Sequence, residues 1–397
     1  MRYILTTVDS IQKYRFFDKL NRAIKLQSNE IVFVTIRLSI YLIGKLFGRK
    51  VFLLKKSKIN NSKNKEICEN EFLEVKIGQI DKNLASLIYS NSKRLIHSLN
   101  EKYFFKLIYI FNGLGVIDRA VEDFAFDVGI NCKYFELSNI KGKIFLDNYG
   151  VNANSSLYTD IEQLNHLEIN LPSYNEWYKN YIDKIKFDSY LPQEKSAKKI
   201  NFWYALDLFG FWFLNVHRLS KKSIIEKIKT KLFLSRLSRI NKNDFEIKKP
   251  FILAPLQVSD DSQLLFHSSF NNIELINAAN KIANEKGMSL VVKIHPAEEN
   301  IKFIKNVFRL KDECDFILSN SNIYELLESC ELIITINSSV GLLAKIMEKE
   351  VIFIGRTYYE KINSQNMPTY IESFLLKTDF WDNKCELSEN EIFRLLN

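Results

Sequence analysis

Hydrophobic positions along this chain gather into short runs, and between the runs the apolar residues fall at helical spacing. Runs at 3–6, 31–35, 51–54, 107–111 and 132–135 are rich in Ile, Val, Leu, Tyr and Phe. Runs apolar at most positions, rather than at every second one, suit strands buried on both faces of a parallel sheet. Helices are expected at 11–24, 84–99 and 117–128, with another between the strands at 31–35 and 51–54. The same alternation returns from 250 to 355, where Phe251-Ile252-Leu253-Ala254 opens the block. Other stretches break the pattern. Residues 55–70 are polar and rich in Lys and Asn, as in a surface loop, and 138–156 carry no period at all. Residues 161–249 look helical, aromatic and basic, and helical segments are expected again at 370–376 and 389–396.

A chain of 397 residues is too long for one ordinary α/β core, so two domains are expected. The pattern predicts an α/β fold with two Rossmann-like αβα domains facing a central cleft, a GT-B-like arrangement shared by many sugar-nucleotide transferases. The expected boundaries are 1–160 for an acceptor-side domain, 161–249 for a helical linking region, 250–375 for a donor-binding domain, and 376–397 for a tail packing back. Fold alone does not give function.

The candidate chemistry sits where strands end. Pro255-Leu256-Gln257-Val258-Ser259-Asp260-Asp261-Ser262-Gln263, with His267-Ser268-Ser269 behind it, follows the first strand of the second block. A second strand ends on Lys293-Ile294-His295-Pro296, and a third runs into Asn337-Ser338-Ser339-Val340-Gly341. In a parallel sheet all carboxyl ends point one way, so these groups can converge on one crevice. Two serines at a helix start place unpaired N–H groups and the positive end of the dipole where a phosphate would sit. His295 suits donation to the same phosphate, or protonation of a leaving oxygen. Standing alone, each segment also reads as an ordinary loop with Ser and Asp caps; the constellation favours the site.

Charge adds one feature. The net charge of +9 is uneven. Lys221, Lys222, Lys227, Lys229, Lys231, Arg236 and Arg239 are opposed nearby only by Glu226, and the run Phe209-Gly210-Phe211-Trp212-Phe213 lies just upstream. Aromatics beside basic residues suit a segment resting on an anionic membrane surface. They equally suit an apolar core with a solvated basic face, and both readings stand. No nucleic-acid recognition motif accompanies the charge, so nucleic acid is not an expected partner. The five cysteines show no CxxC spacing, which argues against a zinc site or disulfide framework and fits a reducing compartment. The first residues lack a long apolar core, and the run 31–47 is broken by Arg37 and Lys45. A cytoplasmic location is therefore expected.

In the first half, Asn112-Gly113-Leu114-Gly115 resembles part of a dinucleotide fingerprint, but Asp118 stands where the third glycine belongs. A tight turn at the acceptor-side cleft is the better reading. Asn152, in the long aperiodic stretch, is placed at the same cleft.

Taken together, these residues resemble the bacterial capsule polysaccharide synthesis family, in its KpsS-like branch of retaining β-Kdo transferases. The likeness rests on Leu256-Gln257-Val258 with Asp261-Ser262-Gln263, on His267 to Asn271, on Val292-Lys293-Ile294-His295-Pro296, and on Ile334 to Gly341. Phe135-Glu136, Gly150-Val151-Asn152-Ala153 and Ser155-Ser156-Leu157 also fit. It fades over the first hundred residues and the tail.

The resemblance implies transfer of Kdo from CMP-β-Kdo with retention, His295-Pro296 and Ser338-Ser339 holding the CMP. It implies an aspartate nucleophile, best placed at Asp261 with Asp260 left open. Glu136 is the candidate base for the acceptor hydroxyl, or else a strand-end acid held by a loop. Gln257 and Gln263 are expected on Kdo hydroxyls or its carboxylate, and Lys293 to balance negative charge. There is no Asp-x-Asp motif, which fits a donor with a single phosphate and no required metal or other cofactor. The acceptor implied is a lipid of the phosphatidylglycerol type, or a glycan, at the inner face of the cytoplasmic membrane, with other capsule-assembly proteins as implied partners. Three alternatives remain open: transfer of another CMP-sugar such as a sialic acid, modification of an O-antigen, and a non-catalytic assembly partner.

Overall fold

The computed structural model describes residues 1–57, 72–187, 202–217, 250–382 and 387–397. It divides into two compact units. The first joins Met1–Ser156, Lys198–Lys221 and Leu375–Asn397; the second joins Leu157–Ala197 and Lys222–Phe374.

Unit 1 is built on a six-stranded sheet of β1 (Arg2–Val8), β2 (Asn29–Thr35), β3 (Lys50–Leu53), β4 (Leu107–Phe111), β5 (Cys132–Leu137) and β6 (Ile144–Asp147). The spatial order is β3-β2-β1-β4-β5-β6, parallel except for β6, which runs antiparallel to β5. Helices Ile11–Lys25, Leu38–Leu46, Lys82–Tyr103 and Val116–Val128 form the connections. Their starts follow local chemistry: Ser10 accepts from the Lys13 N–H and Asp81 from the Leu84 N–H, each satisfying an amide that the helix leaves open. The core centres on Phe16, Phe17, Tyr109 and Phe135. Into it come Leu376, Phe380, Ile392 and Leu395 from the far end of the chain. The Tyr109 hydroxyl donates to the Leu395 carbonyl at 2.9 Å, within the core. The buried Lys19 ammonium donates to the carbonyls of Asp379 and Asp382.

Unit 2 carries a five-stranded sheet of β7 (Phe251–Pro255), β8 (Ser289–Lys293), β9 (Phe316–Leu318), β10 (Leu332–Thr335) and β11 (Glu350–Phe353), in the order β11-β10-β7-β8-β9. Every neighbouring pair is parallel. Alternate residues serve opposite faces, as the strand period of two dictates. Ile252, Ala254, Leu290, Val292, Leu332 and Ile334 join one cluster with the helices Asn272–Lys286 and Ile301–Glu313. Phe251, Leu253, Val291 and Ile333 join another with the helices Ile323–Ser329 and Ser339–Ile346. With both faces covered, polar strand residues would be buried, which is why these runs are so uniformly apolar.

Two expectations need amending. The stretch 138–156 is not unstructured: Ile144–Asp147 is a strand, and the chain beyond it wraps around one carboxylate. Asp147 accepts from the N–H groups of Tyr149, Gly150 and Ser156. Backbone amides held by a side chain have no hydrophobic period to announce them. Within 161–249, expected as a linking region, the described helices divide between the two units. Helix Leu171–Phe187 belongs to unit 2 and helix Phe202–Phe213 to unit 1. The basic residues from Lys221 to Arg239, and most of the Lys/Asn-rich stretch, lie outside the described residues.

Candidate functional site

The strand order of unit 2 reverses between β7 and β10, so the loops leaving their carboxyl ends part to opposite sides and open a crevice. Gln257, just past β7, and Asn337, just past β10, meet there. The Gln257 amide donates to Asn337 Oδ1 at 2.9 Å and accepts the Asn337 N–H at 3.3 Å. Asn337 Nδ2 then donates to the Gln263 carbonyl at 2.8 Å. Asn272 closes the other side of Gln257, accepting its N–H at 3.1 Å and donating to its carbonyl at 2.7 Å. Gln257 and Asn337 are only 5% and 1% exposed. Both ends of the Gln257 amide are thus engaged in the protein, where it clamps two strand ends together.

That clamp sets two helix starts side by side. Asp261 caps the helix Ser262–His267, accepting the Gln263 N–H at 2.8 Å. Its carboxyl is half-buried and lies above the ordinary range: burial raises it, the Gln263 N–H opposes, and neighbouring Asp260 raises it further. Asp260 itself is exposed. Ser338 caps the helix Ser339–Ile346 by accepting the Val340 N–H at 3.1 Å. Ser339 opens that helix, half-buried. Gly341 follows because a Cβ there would collide with the Phe353 ring and crowd Thr335. Gly341 therefore serves close packing of helix on sheet, not turn geometry.

His295 comes from the next strand. Its Nδ1 accepts the Ala297 N–H at 3.0 Å, so the proton of the neutral ring belongs on Nε2, which is left as a donor. Burial, and secondarily the charge of Lys293, hold its pKa below the ordinary value and keep the ring neutral. Pro296 is the corner of a reverse turn closed by the Glu298 N–H to the His295 carbonyl at 3.0 Å. Its fixed φ suits that position; it offers no donor. Lys293 reaches the Ser321 carbonyl at 2.8 Å. The loops after these three strands thus carry a carboxylate, a neutral imidazole with an Nε2–H, and the positive end of a helix, which favours an anion.

The acceptor-side residues lie in unit 1. Asn112 and Gly113 both have left-handed backbone, φ 73° and 84°, and make the tight turn after β4. Asn152 is buried in a short 3-10 turn, φ 47°. Glu136 stands on β5 opposite Phe145 of β6, half-buried. Sequence reading passed over a charged group at the switch point of this sheet. There Lys13 pairs with Asp9 at 3.1 Å, Thr7 donates to Asp118 at 2.5 Å, and Glu74 accepts the Val116 N–H at 2.9 Å. Burial pushes Asp118 up to about 6 and Glu74 up to about 7. Burial raises Asp9 as well, but Lys13 outweighs it and holds that carboxyl below the ordinary value. Asp118, which breaks the glycine pattern in the sequence, is thus a partner of Thr7. Among the described residues no group of three or more His, Cys, Asp and Glu is placed to hold a metal ion.

Two Rossmann-type sheets, each reversing its strand order at a switch point, define a doubly wound α/β protein. More particularly, the chain belongs to the capsule polysaccharide biosynthesis protein family, whose sequence profile matches residues 142–364, more than half of its length. It is 22% identical over 293 residues to the capsule polysaccharide export protein KpsS of Escherichia coli, spanning 67% of this chain and 71% of that one. Among solved structures, it is similar to the β-Kdo 2,7 transferase of Thermosulfurimonas dismutans KpsC, with a TM-score of 0.45 and 13% identity over 100% of this chain and 99% of that one. The β-Kdo 2,4 transferase of the same KpsC superimposes with a TM-score of 0.39 and 12% identity over 98% and 88%.

Proposed function

We propose that the chain is a retaining glycosyltransferase of capsule polysaccharide biosynthesis, moving Kdo from CMP-β-Kdo to a hydroxyl of a lipid or glycan. The observation that carries this reading is the set of hydrogen bonds that ties together the loops bearing Asp261, His295 and Ser338-Ser339 at the unit 2 switch point. An Asp261 oxygen attacks the anomeric carbon as its bond to the CMP phosphate breaks. The His295 Nε2–H and the helix start stabilise the charge on the departing phosphate. The acceptor oxygen then attacks the same carbon, the ester to Asp261 breaks, and the hydroxyl proton passes to a base. Two inversions give retention. CMP leaves as an anion, so the first step needs no strong acid and is written without a metal.

The pH dependence tests the nucleophile. Asp261 must be ionised to attack, and its pKa lies above the ordinary aspartate value. The acid limb of the rate profile is therefore expected above about pH 4, the unperturbed value. Asp260→Asn removes a like charge and should move that limb to lower pH. A limb that stays where it was in the variant would separate the limb from Asp261.

Membrane association is part of the same proposal. No helix among the described residues is long and apolar enough to cross a membrane. The helix Phe202–Phe213 exposes Phe209, Trp212 at 70% and Phe213 at 72%, and the basic residues follow it in sequence. Buried in an anionic interface, these rings would leave water as the lysines meet lipid phosphates. Trp212→Ser with Phe213→Ser is expected to cut sedimentation with phosphatidylglycerol vesicles severalfold, with little change for neutral vesicles. Equal sedimentation of variant and wild type would remove this surface from the proposal.

A further inference from the structure

Glu298 is 3% exposed and lies three residues beyond His295, in no motif described above. Its carboxylate accepts the Ser259 N–H at 2.7 Å and the Ser259 hydroxyl at 3.1 Å. It also accepts the Asn300 N–H at 2.7 Å. Ser259 sits inside the turn closed by the Asp261 N–H to the Val258 carbonyl at 2.9 Å. Glu298 itself ends the turn that begins at His295. One carboxylate therefore bridges the turn that presents Asp261 and the turn that presents His295. The strands beneath add a single bond at this level, Leu256 N–H to Lys293 carbonyl at 2.9 Å.

We infer that Glu298 is a positioning residue of this site, a strut that fixes the imidazole tautomer and its register with the aspartate turn. The inference rests on the reading of the crevice as a CMP site, but its first readout does not. The imidazole keeps its proton on Nε2 only while the Ala297 N–H points at Nδ1, and that amide belongs to the turn Glu298 closes. Three N–H and O–H donors on one buried carboxylate hold the turn far more firmly than neutral bonds would. Gln at this position keeps the shape but turns one acceptor into a donor facing donors.

Full-length wild type, Glu298→Gln, Glu298→Ala and the milder Ser259→Ala are compared by ¹⁵N NMR of the imidazoles and by calorimetric titration with CMP. In wild type, His295 is expected as the Nε2–H tautomer, titrating below the ordinary histidine value. The Glu298 variants are expected to show mixed tautomers and a titration shifted back towards that value. Their CMP affinity should fall about tenfold or more, the scale of loss when well-oriented groups are released. Ser259→Ala, which removes only the hydroxyl bond, should fall between. Folded variants that keep the His295 tautomer, titration and CMP affinity of wild type overturn the strut. Should the Glu298 variants fail to fold, Ser259→Ala decides the matter by the same two readouts. If wild type does not bind CMP, the donor reading falls, while the tautomer still reports on Glu298.

Discussion

Asp261→Asn should leave a folded protein whose turnover has dropped by about 10³-fold or more. Asparagine caps a helix about as well as aspartate, so the bond to the Gln263 N–H survives and stability should change by less than about 0.5 kcal/mol. What is lost is the anionic oxygen, and removing a nucleophile from a working set costs at least that factor in kcat. The same variant separates the two adjacent acids. Mixed with freshly made CMP-β-Kdo, wild type and Asp260→Asn should each gain the mass of one Kdo, whereas Asp261→Asn should gain nothing. An adduct lost only in Asp260→Asn would move the nucleophile by one residue. Absence of both adduct and CMP release in wild type would send the donor assignment elsewhere, to another CMP-sugar or to a non-catalytic role.

Asn337→Leu is expected to be the most destabilising single change at the site, costing about 3 kcal/mol by urea unfolding. It strips the acceptor from the buried Gln257 Nε2 and the donor from the Gln263 carbonyl, while the backbone N–H at 337 still reaches Gln257 Oε1. Buried polar groups left without partners cost about 1–3 kcal/mol each. Adding Gln257→Leu should recover part of that loss, because it removes the stranded Gln257 Nε2, and the recovery is partial because the backbone N–H at 337 then loses its acceptor. A single variant within about 0.5 kcal/mol of wild type, or a double variant with no recovery, would contradict the clamp.

The strands were legible because burial on both faces leaves only apolar residues, as in Phe251-Ile252-Leu253-Ala254. That the loops bearing Asp261, His295 and Ser338 leave the same edge of one sheet was legible too, since parallel strands deliver their ends to one side. What escaped notice were the groups that hold those residues. Glu298 meets Ser259 from the loop of the neighbouring strand, and Asn272 meets Gln257 from beyond an intervening helix, and no local spacing encodes such meetings. Gln257 was visible as a polar residue at a strand end, but a clamp and a ligand contact look alike until the partner is known. The strand Ile144–Asp147 was hidden for another reason: it is short and sits beside turns held by Asp147.

The return of residues 376–395 to the core of unit 1 bears on how the protein can be made. A ribosome delivers Phe16, Tyr109 and Phe135 long before it delivers Leu376 and Leu395, yet all of them belong to one cluster. The first sheet must therefore wait, its apolar face uncovered, while more than two hundred residues of other structure emerge. A fragment cut at the end of the first αβ block would carry that uncovered face permanently. Holding such a nascent chain in solution is work for a chaperone, and the second unit, whose sheet is continuous in sequence, is free to mature first.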